Sequence, residues 1–194
     1  MNPAIVFFDA KYLQLINDQF IEDGQKIKCD LNQLAVTLSK SENLWCTKVF
    51  YYIAPPYQSD PPAPDETIRR SKYDNFTNKL KKIPNFVVRE GRCQKVDGEY
   101  HQKGVDTLVT MDLLTEAVAN KGMTFIVVAC DTDFVPIIKE IKEKFGIIVI
   151  LYYYTDYVRG SRFSMSNHIM SVCNKCVMMT RDHFLRSKYR KKTE

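Results

Sequence analysis

Four aspartates lie where predicted strands end or predicted helices begin: Asp9, Asp106, Asp131 and Asp133. Asp9 ends the apolar run at residues 4–8, and Asp131 follows the apolar run at residues 125–129. Asp106 stands at a helix start, and Asp133 lies in a turn from strand to helix. Because open α/β sheets bind ligands beyond the carboxyl ends of their strands, we expect the four acids to share one rim.

A cluster of four carboxylates is tolerable only if its charge is compensated. Two carboxylates about 4 Å apart repel each other by roughly 4 kcal/mol at an effective dielectric of about 20. Protons or cations must offset this repulsion, and a donor set made only of oxygens suits Mg²⁺ or Mn²⁺. One or two such ions would support hydrolysis of a phosphodiester bond.

Each acid also has a purely structural explanation. Aspartate is favoured at helix starts, so Asp131 or Asp133 could be a cap and Asp106 could belong to a first helical turn. Asp9 could accept hydrogen bonds from loop amides. Asp112 lies on an apolar helix face, where an acid needs a partner. Its spacing puts it on a different side of the helix from Asp106, so we expect it in a supporting position.

The elements that would position these acids alternate between strand and helix. Apolar runs predict five strands, at residues 4–8, 49–53, 86–89, 125–129 and 147–151, with helices between them. The last stretch adds a helix at 165–173, a short strand at 176–179 and a terminal helix. Residues 54–64 form a proline-rich loop, and a polar stretch around Asp97 and Gly98 resembles a hairpin. The alternation predicts an α/β fold, with a mostly parallel sheet of about five strands and helices on both faces.

The composition indicates one globular domain. The chain has 194 residues, of which 45% are hydrophobic and 26% charged, so it can bury a core of its own. No apolar run could cross a membrane and the first residues lack a secretory signal, so we expect a cytoplasmic protein without a membrane partner. We expect the six cysteines to be reduced thiols, and Cys173 and Cys176 form a single CxxC without a second pair of zinc ligands.

Positive charge is concentrated at the end of the chain. The net charge is +5, and much of the excess lies in residues 186–192. Both a solvated helix end and a phosphate-binding tail fit this run. We therefore expect a single domain over residues 1–180, followed by a basic C-terminal helix or tail over residues 181–194.

Three sequence blocks, taken together, resemble the signature blocks of the NYN domain family. They are VFFD at residues 6–9, KGVD at residues 103–106 with MDLL at 111–114, and VVACDTDFVP at residues 127–136. Their order and spacing also match, and the resemblance covers roughly residues 4 to 152. It implies a PIN-like, Rossmann-like three-layer fold and a LabA-like (endo)ribonuclease of the PIN-like superfamily. Such an enzyme would use Mg²⁺ or Mn²⁺ on single-stranded or structured RNA.

The resemblance also implies roles for individual residues. Asp9, Asp106 and Asp131 become the expected metal ligands, with Asp133 as a further ligand or the base that orients water. Lys103 would lie beside the scissile phosphate. We expect three residues to support this catalytic set from behind: Asp112, Tyr12 and Thr132.

Two other functions stay open. Tyr12 stands where the family usually has asparagine, and Ala10 where it usually has glycine. The alternative is therefore a catalytically weak or inactive NYN-domain protein that acts as an RNA-binding adaptor. A third interpretation is a haloacid-dehalogenase-like phosphatase, because Asp131 to Val135 fits the DxDx[TV] pattern. That family, however, carries the motif on its first strand and needs a longer chain after it.

The path of RNA would be a basic groove, with Tyr57 or Tyr154 available for base stacking. The residues expected to line this groove are Lys11, Arg69, Arg70, Arg92, Lys95, Lys103, Arg159 and Arg162. A homodimer stays open as the assembly.

Overall fold

One six-stranded sheet organises the fold, and every neighbouring pair of its strands is parallel. The computed structural model describes residues 1–158, 161, 163 and 166–189. In chain order the strands are β1 (Asn2–Asp9), β2 (Ile21–Glu22), β3 (Gln25–Lys26), β4 (Leu44–Ile53), β5 (Phe86–Glu90), β6 (Arg92–Val96), β7 (Glu99–Lys103), β8 (Thr124–Val128), β9 (Ile148–Tyr153) and β10 (Lys175–Met178). The sheet has the order β10-β9-β8-β1-β4-β5, and β2–β3 and β6–β7 form two separate hairpins. The predicted α/β class is confirmed, with the short final strand as the sixth member of the sheet.

Strand β1 lies in the middle of the sheet, between β4 and β8. Its residues Ala4 to Phe8 are all buried, because helices cover both faces of the sheet. A strand in that position must be apolar on both sides, which explains the continuous hydrophobic run. β1 pairs with β8 as far as Phe8 and Val128, so Asp9 and the residues after β8 emerge at the same edge.

In the part of the chain that the structure describes, seven α-helices cover the two faces of the sheet. They are α1 (Ala10–Asn17), α2 (Leu31–Ser41), α3 (Pro64–Lys81), α4 (Val105–Ala119), α5 (Val135–Phe145), α6 (Asn167–Val172) and α7 (Arg181–Arg186). Val6 and Phe8 of β1 belong to the core formed with α1, α2, α3 and α7, whereas Ile5 and Phe7 belong to the core formed with α4, α5 and α6. Alternate residues of one strand therefore serve opposite layers, as the pleat of a strand requires.

Two glycines fix the chain between β5 and α4. A Cβ atom on Gly91 would lie 2.7 Å from the Lys103 carbonyl oxygen and 2.8 Å from Val105 Cγ2. Only glycine therefore allows the β6–β7 hairpin to fold back against the start of α4. Gly104 precedes α4 with a φ of 79°, a conformation that glycine adopts without strain. These two turns determine where α4 begins, and hence where Asp106 lies.

The C-terminal part of the chain packs on the sheet and its helices. Helix α6 begins at Asn167, later than predicted, because Ser166 Oγ caps it by accepting the His168 N–H at 3.2 Å. Phe184 of α7 is buried, and Ser187 Oγ donates to Thr37 Oγ1 of α2 at 2.9 Å. The basic segment therefore starts with a packed helix, residues 190–194 lie outside the described residues, and the boundary at residue 180 stays a prediction. No helix in the described ranges is both long enough and apolar enough to span a bilayer.

Candidate active site

A cavity of about 560 Å³ lies at the carboxyl edge of the sheet. Asp9, Asp106 and Asp131 all line it, so three of the four predicted acids share one space, which we call the acid cavity. Its volume is typical of ligand-binding sites. A larger cavity of about 630 Å³ lies beside α1 and α2, but its walls are mainly apolar and contain none of these acids. The residue chemistry therefore places the candidate site in the smaller cavity.

Asp9 reaches the acid cavity from the end of β1. Its Oδ1 atom accepts the backbone N–H groups of Lys11 at 2.9 Å and Tyr12 at 3.2 Å, so it also caps α1. Within the described residues, Oδ2 of Asp9 takes part in no hydrogen bond. The alternative predicted for Asp9 was acceptance of loop amides; the amides that it accepts belong to the first turn of α1, and they use only one of its two carboxylate oxygens.

Asp131 is placed in the same way beyond the end of β8. Its Oδ1 atom accepts the Asp133 N–H at 2.9 Å and caps a 3-10 turn at Thr132–Phe134, which leads into α5. Phe134 is buried in the core beneath this turn, which anchors the acid. A cap at a strand end thus fixes the orientation of a carboxylate that also lines a cavity.

Asp106 connects the acids electrostatically. Asp106 is exposed to solvent, yet partial desolvation beside the cavity raises its pKa, and the charges of Asp131 and Asp133 raise it further. Burial likewise raises the pKa of Asp9; two backbone hydrogen bonds oppose this rise, and the charge of Asp106 adds to it. Asp133 is exposed beside the cavity and is close enough to act on Asp106. The four predicted acids therefore form one electrostatic group, although only three line the cavity.

The donor set of this group fits a hard divalent cation. It offers carboxylate oxygens and no imidazole or thiolate at the predicted ligand positions, which is the preference of Mg²⁺ and Mn²⁺. Among the described residues, no three His, Cys, Asp or Glu side chains lie close enough together to hold a metal ion by themselves. The raised pKa values of Asp9 and Asp106 indicate acids whose charge the protein itself leaves undercompensated. Asp9, Asp106 and Asp131 are the residues that would hold a cation, together with water.

Comparisons with known proteins assign the family. The family model described as NYN domain matches residues 3–179. This chain belongs to the NYN domain family. NYN domains have a PIN-like nuclease fold, are generally nucleases that act on RNA, and typically use divalent metals.

Solved structures agree with the fold. A protein of unknown function from Vibrio parahaemolyticus RIMD 2210633 has a crystal structure that superposes with a TM-score of 0.60 at 14% identity. The match covers 93% of this chain and 94% of that one. No curated protein matches the chain. At this identity, the likeness extends to the fold alone.

Tyr12, predicted to support the catalytic acids, lines the acid cavity and is almost completely buried. Its hydroxyl accepts the Tyr154 N–H at 2.9 Å and lies 3.4 Å from the Tyr154 carbonyl oxygen. Burial raises the pKa of Tyr12. The tyrosine therefore ties α1 to the chain beyond β9 and supports the cavity wall.

Asp112 lies away from the acid cavity and has a cation of its own. Arg89 of β5 donates to it twice, from Nε at 2.8 Å and from Nη2 at 3.0 Å. The apolar helix face predicted that this acid needs a partner, and Arg89 is that partner. Its geometry is that of a structural ion pair between α4 and the edge strand of the sheet.

The described basic residues of the predicted groove lie either in or near the acid cavity or on helix α3. Lys11 lines the acid cavity, and its charge lowers the pKa values of Asp9 and Asp106 against the larger effect of burial. Lys103 is exposed on β7 and is not part of the cavity wall. Thr132, which was expected in a supporting position, does line the cavity. Two more cations, Arg92 and Lys95, extend along the β6–β7 hairpin.

Helix α3 carries the other two described basic residues of the predicted groove. Arg69 pairs with Asp65 at 2.8 Å and Arg70 with Asp74 at 2.9 Å, each on its own helix. Neither lines the acid cavity. Arg159 and Arg162, also predicted to bind RNA, lie outside the described residues.

Several residues of the cavity wall were not among the predicted site residues, and three of them are consecutive: Tyr100, His101 and Gln102. They lie on β7, whose residues are all exposed. Because no apolar alternation marks such a strand, the available signal was their position directly before the KGVD block. Cys130 and Ser166 complete this part of the wall.

Proposed function

We propose that this protein is a divalent-metal-dependent ribonuclease that hydrolyses RNA phosphodiester bonds in the acid cavity. The observation that carries the proposal is the convergence of Asp9, Asp106 and Asp131 on one cavity at the carboxyl edge of the sheet. Membership of the NYN family supports the same function.

The acids would act through their remaining carboxylate oxygens. Asp9 and Asp131 each use Oδ1 to cap a helix or turn, which fixes the carboxylate and leaves Oδ2 for a cation. Bound there, Mg²⁺ or Mn²⁺ would neutralise the phosphate and lower the pKa of a water molecule. Asp133, exposed beside Asp106, would accept a proton from that water at a carboxylate oxygen.

The cationic residues would orient the phosphate. Lys11 lines the cavity with the acids and would contact a non-bridging phosphate oxygen. We assign Lys103 to an outer phosphate of the RNA, because its exposed side chain is outside the cavity wall. Contacts of this kind make binding fall steeply with salt.

A second candidate function is an RNA-binding adaptor without turnover. The observation that favours it is Tyr12, whose hydroxyl is committed to the backbone of Tyr154 where the family usually supplies an asparagine amide. An adaptor would keep the cavity and its basic surroundings but would not cut RNA.

An RNA cleavage assay with Mn²⁺ separates the two functions. We expect the parent protein to cleave RNA, and Asp131→Asn to reduce the rate about 10²- to 10³-fold, since several kcal/mol of transition-state stabilisation depend on the ion. The matched control is Asp182→Asn, which changes an exposed aspartate paired with Arg186 and should leave the rate unchanged.

One outcome of this assay rejects the nuclease, and an RNA-binding measurement then tests the adaptor. If the parent protein cuts no faster than Asp131→Asn, the proposed turnover is rejected. Unchanged RNA binding in both proteins would then establish the adaptor function.

A further inference from the structure

Two tyrosines lie in contact beside the acid cavity: Tyr100 is exposed, and Tyr57 is half-buried. Tyr100 of β7 lines the cavity and keeps 53% of its surface exposed. Tyr57, from the proline-rich loop after β4, lies with its ring centroid 5.6 Å from that of Tyr100, at an interplanar angle of 47°. An exposed tyrosine ring contributes little to a core, so the position of Tyr100 on the cavity wall requires another explanation.

Positive charge accompanies the two rings. In the β6–β7 hairpin, Lys95 pairs directly with Tyr100, and its Nζ atom lies 5.6 Å from the ring centroid. Arg92 and Lys103 form another pair of the same hairpin. Aromatic rings interspersed with cations are the usual surface for unpaired nucleotides, since bases stack on the rings while phosphates meet the charges.

The other aromatic candidate for stacking is already occupied. Tyr154 makes an edge contact with Phe20 at 5.6 Å and another with Phe163 at 5.0 Å between ring centroids. Its backbone is also bonded to Tyr12. Tyr154 is therefore packed between other rings, whereas the ring of Tyr100 is exposed and Tyr57 lies against it.

We propose that Tyr57 and Tyr100 form a stacking platform for an unpaired base, so that the acid cavity receives single-stranded RNA rather than duplex. This inference rests on the proposed function, because it takes RNA as the ligand. In a duplex each base is already stacked between its neighbours, so only an unpaired base can lie against Tyr100. Both tyrosines and the acids are close enough for one short strand to contact them together, since Tyr100 and the acids share one cavity wall.

Binding without turnover tests the platform. All proteins carry Asp131→Asn and are kept in EDTA, so that no RNA is cut. Three probes are compared: a uridine oligomer of about 12 nucleotides, the duplex of that oligomer with a complementary adenosine oligomer, and an abasic oligomer of equal length. We expect Tyr100→Ala to weaken binding of the uridine oligomer about 5- to 100-fold, as loss of one stacked base does, and to leave the abasic and duplex probes unchanged. Tyr57→Ala should act in the same direction, and Tyr100→Phe should bind like the parent because it keeps the ring.

The matched control is Tyr189→Ala, which removes a tyrosine that is 60% exposed and lines no part of the acid cavity. Equal binding of the uridine oligomer by Tyr100→Ala and Tyr189→Ala would overturn the platform, as would an equal loss for all three probes. Failure of the nuclease proposal gives a different result, because a protein that cuts no RNA but shows ring-dependent binding keeps the platform and loses only turnover.

Discussion

Asp106 and Asp112 lie on the same helix but differ in what compensates their charge. Asp112 is 8% exposed and receives two hydrogen bonds from Arg89. Asp106 instead is exposed in an open cavity, where partial desolvation and neighbouring acids raise its pKa. The protein thus pairs Asp112 with an arginine, whereas Asp106 forms no ion pair within the described residues, and the proposed function assigns its compensation to an external cation. The two acids therefore differ in charge compensation as well as in the side of the helix on which they lie.

Removal of Arg89 should have the largest effect on stability, because it takes away the cation that compensates Asp112. Arg89→Ala leaves Asp112 with an unpaired, nearly buried charge, and we expect a loss of about 2–4 kcal/mol, somewhat reduced because the arginine side chain is partly exposed. Chemical denaturation with circular dichroism measures the loss. Arg70→Ala is the control, because its pair with Asp74 is on the surface and should contribute less than about 1 kcal/mol. Equal losses in the two variants would contradict the structural role of the pair.

A smaller effect on stability is expected at Tyr12, whose hydrogen bond with the Tyr154 backbone supports the cavity wall without a charged group. Tyr12→Phe removes the hydroxyl that accepts the Tyr154 N–H, and an unsatisfied, partly buried donor should cost about 1–1.5 kcal/mol. Thermal unfolding beside Tyr189→Phe, an exposed tyrosine, measures this cost. A stability equal to that of the control would mean that Tyr12 supports the wall by packing alone.

The smallest effect concerns Asp9, and its sign should be opposite. Because the folded pKa of Asp9 is raised, its contribution to stability is full below the unfolded pKa of about 3.9 and is lost as pH rises through the folded pKa. Asp9→Asn keeps a cap and removes that loss, so in EDTA at about pH 7 we expect a gain of about 0.5 kcal/mol, partly offset by the helix dipole. The gain should vanish as pH falls to about 4.

Asp30 provides the matched control for this substitution. It caps α2 in the same way, with Oδ1 accepting the Gln33 N–H at 2.9 Å, but it lies outside the acid cavity. Asp30→Asn should therefore show no gain at neutral pH. If the stabilities of both asparagine variants respond identically to pH, the unfavourable charge assigned to Asp9 in the acid cavity is refuted.

The sequence predicted the parts of the site that depend on the sheet. Asp9 and Asp131 each follow an apolar run, and parallel strands must bring such positions to one edge. The pattern also indicated that Asp112 needs a partner. It did not identify Arg89, because that contact joins β5 to α4 across 23 residues and depends on how the helix lies over the edge strand.

The hairpin wall was beyond sequence reasoning for a different reason. The residues of β7 are exposed throughout, so no hydrophobic alternation indicates which side faces the acids. The position of β7 depends on the close approach of Gly91 to Val105, a tertiary contact. The same limit applies to Arg69 and Arg70, whose charges suggested a groove but whose partners lie on their own helix.

Direct binding of Mn²⁺ tests most directly whether the acid cavity holds an external cation. Titration calorimetry compares the parent protein with Asp106→Asn and with Asp182→Asn as the control for an exposed aspartate. We predict that the parent and the control bind the ion alike, and that Asp106→Asn binds it at least about tenfold more weakly, since it loses one of few charged ligands. A parent protein that binds no Mn²⁺, or an Asp106→Asn variant that binds it equally well, would contradict the account.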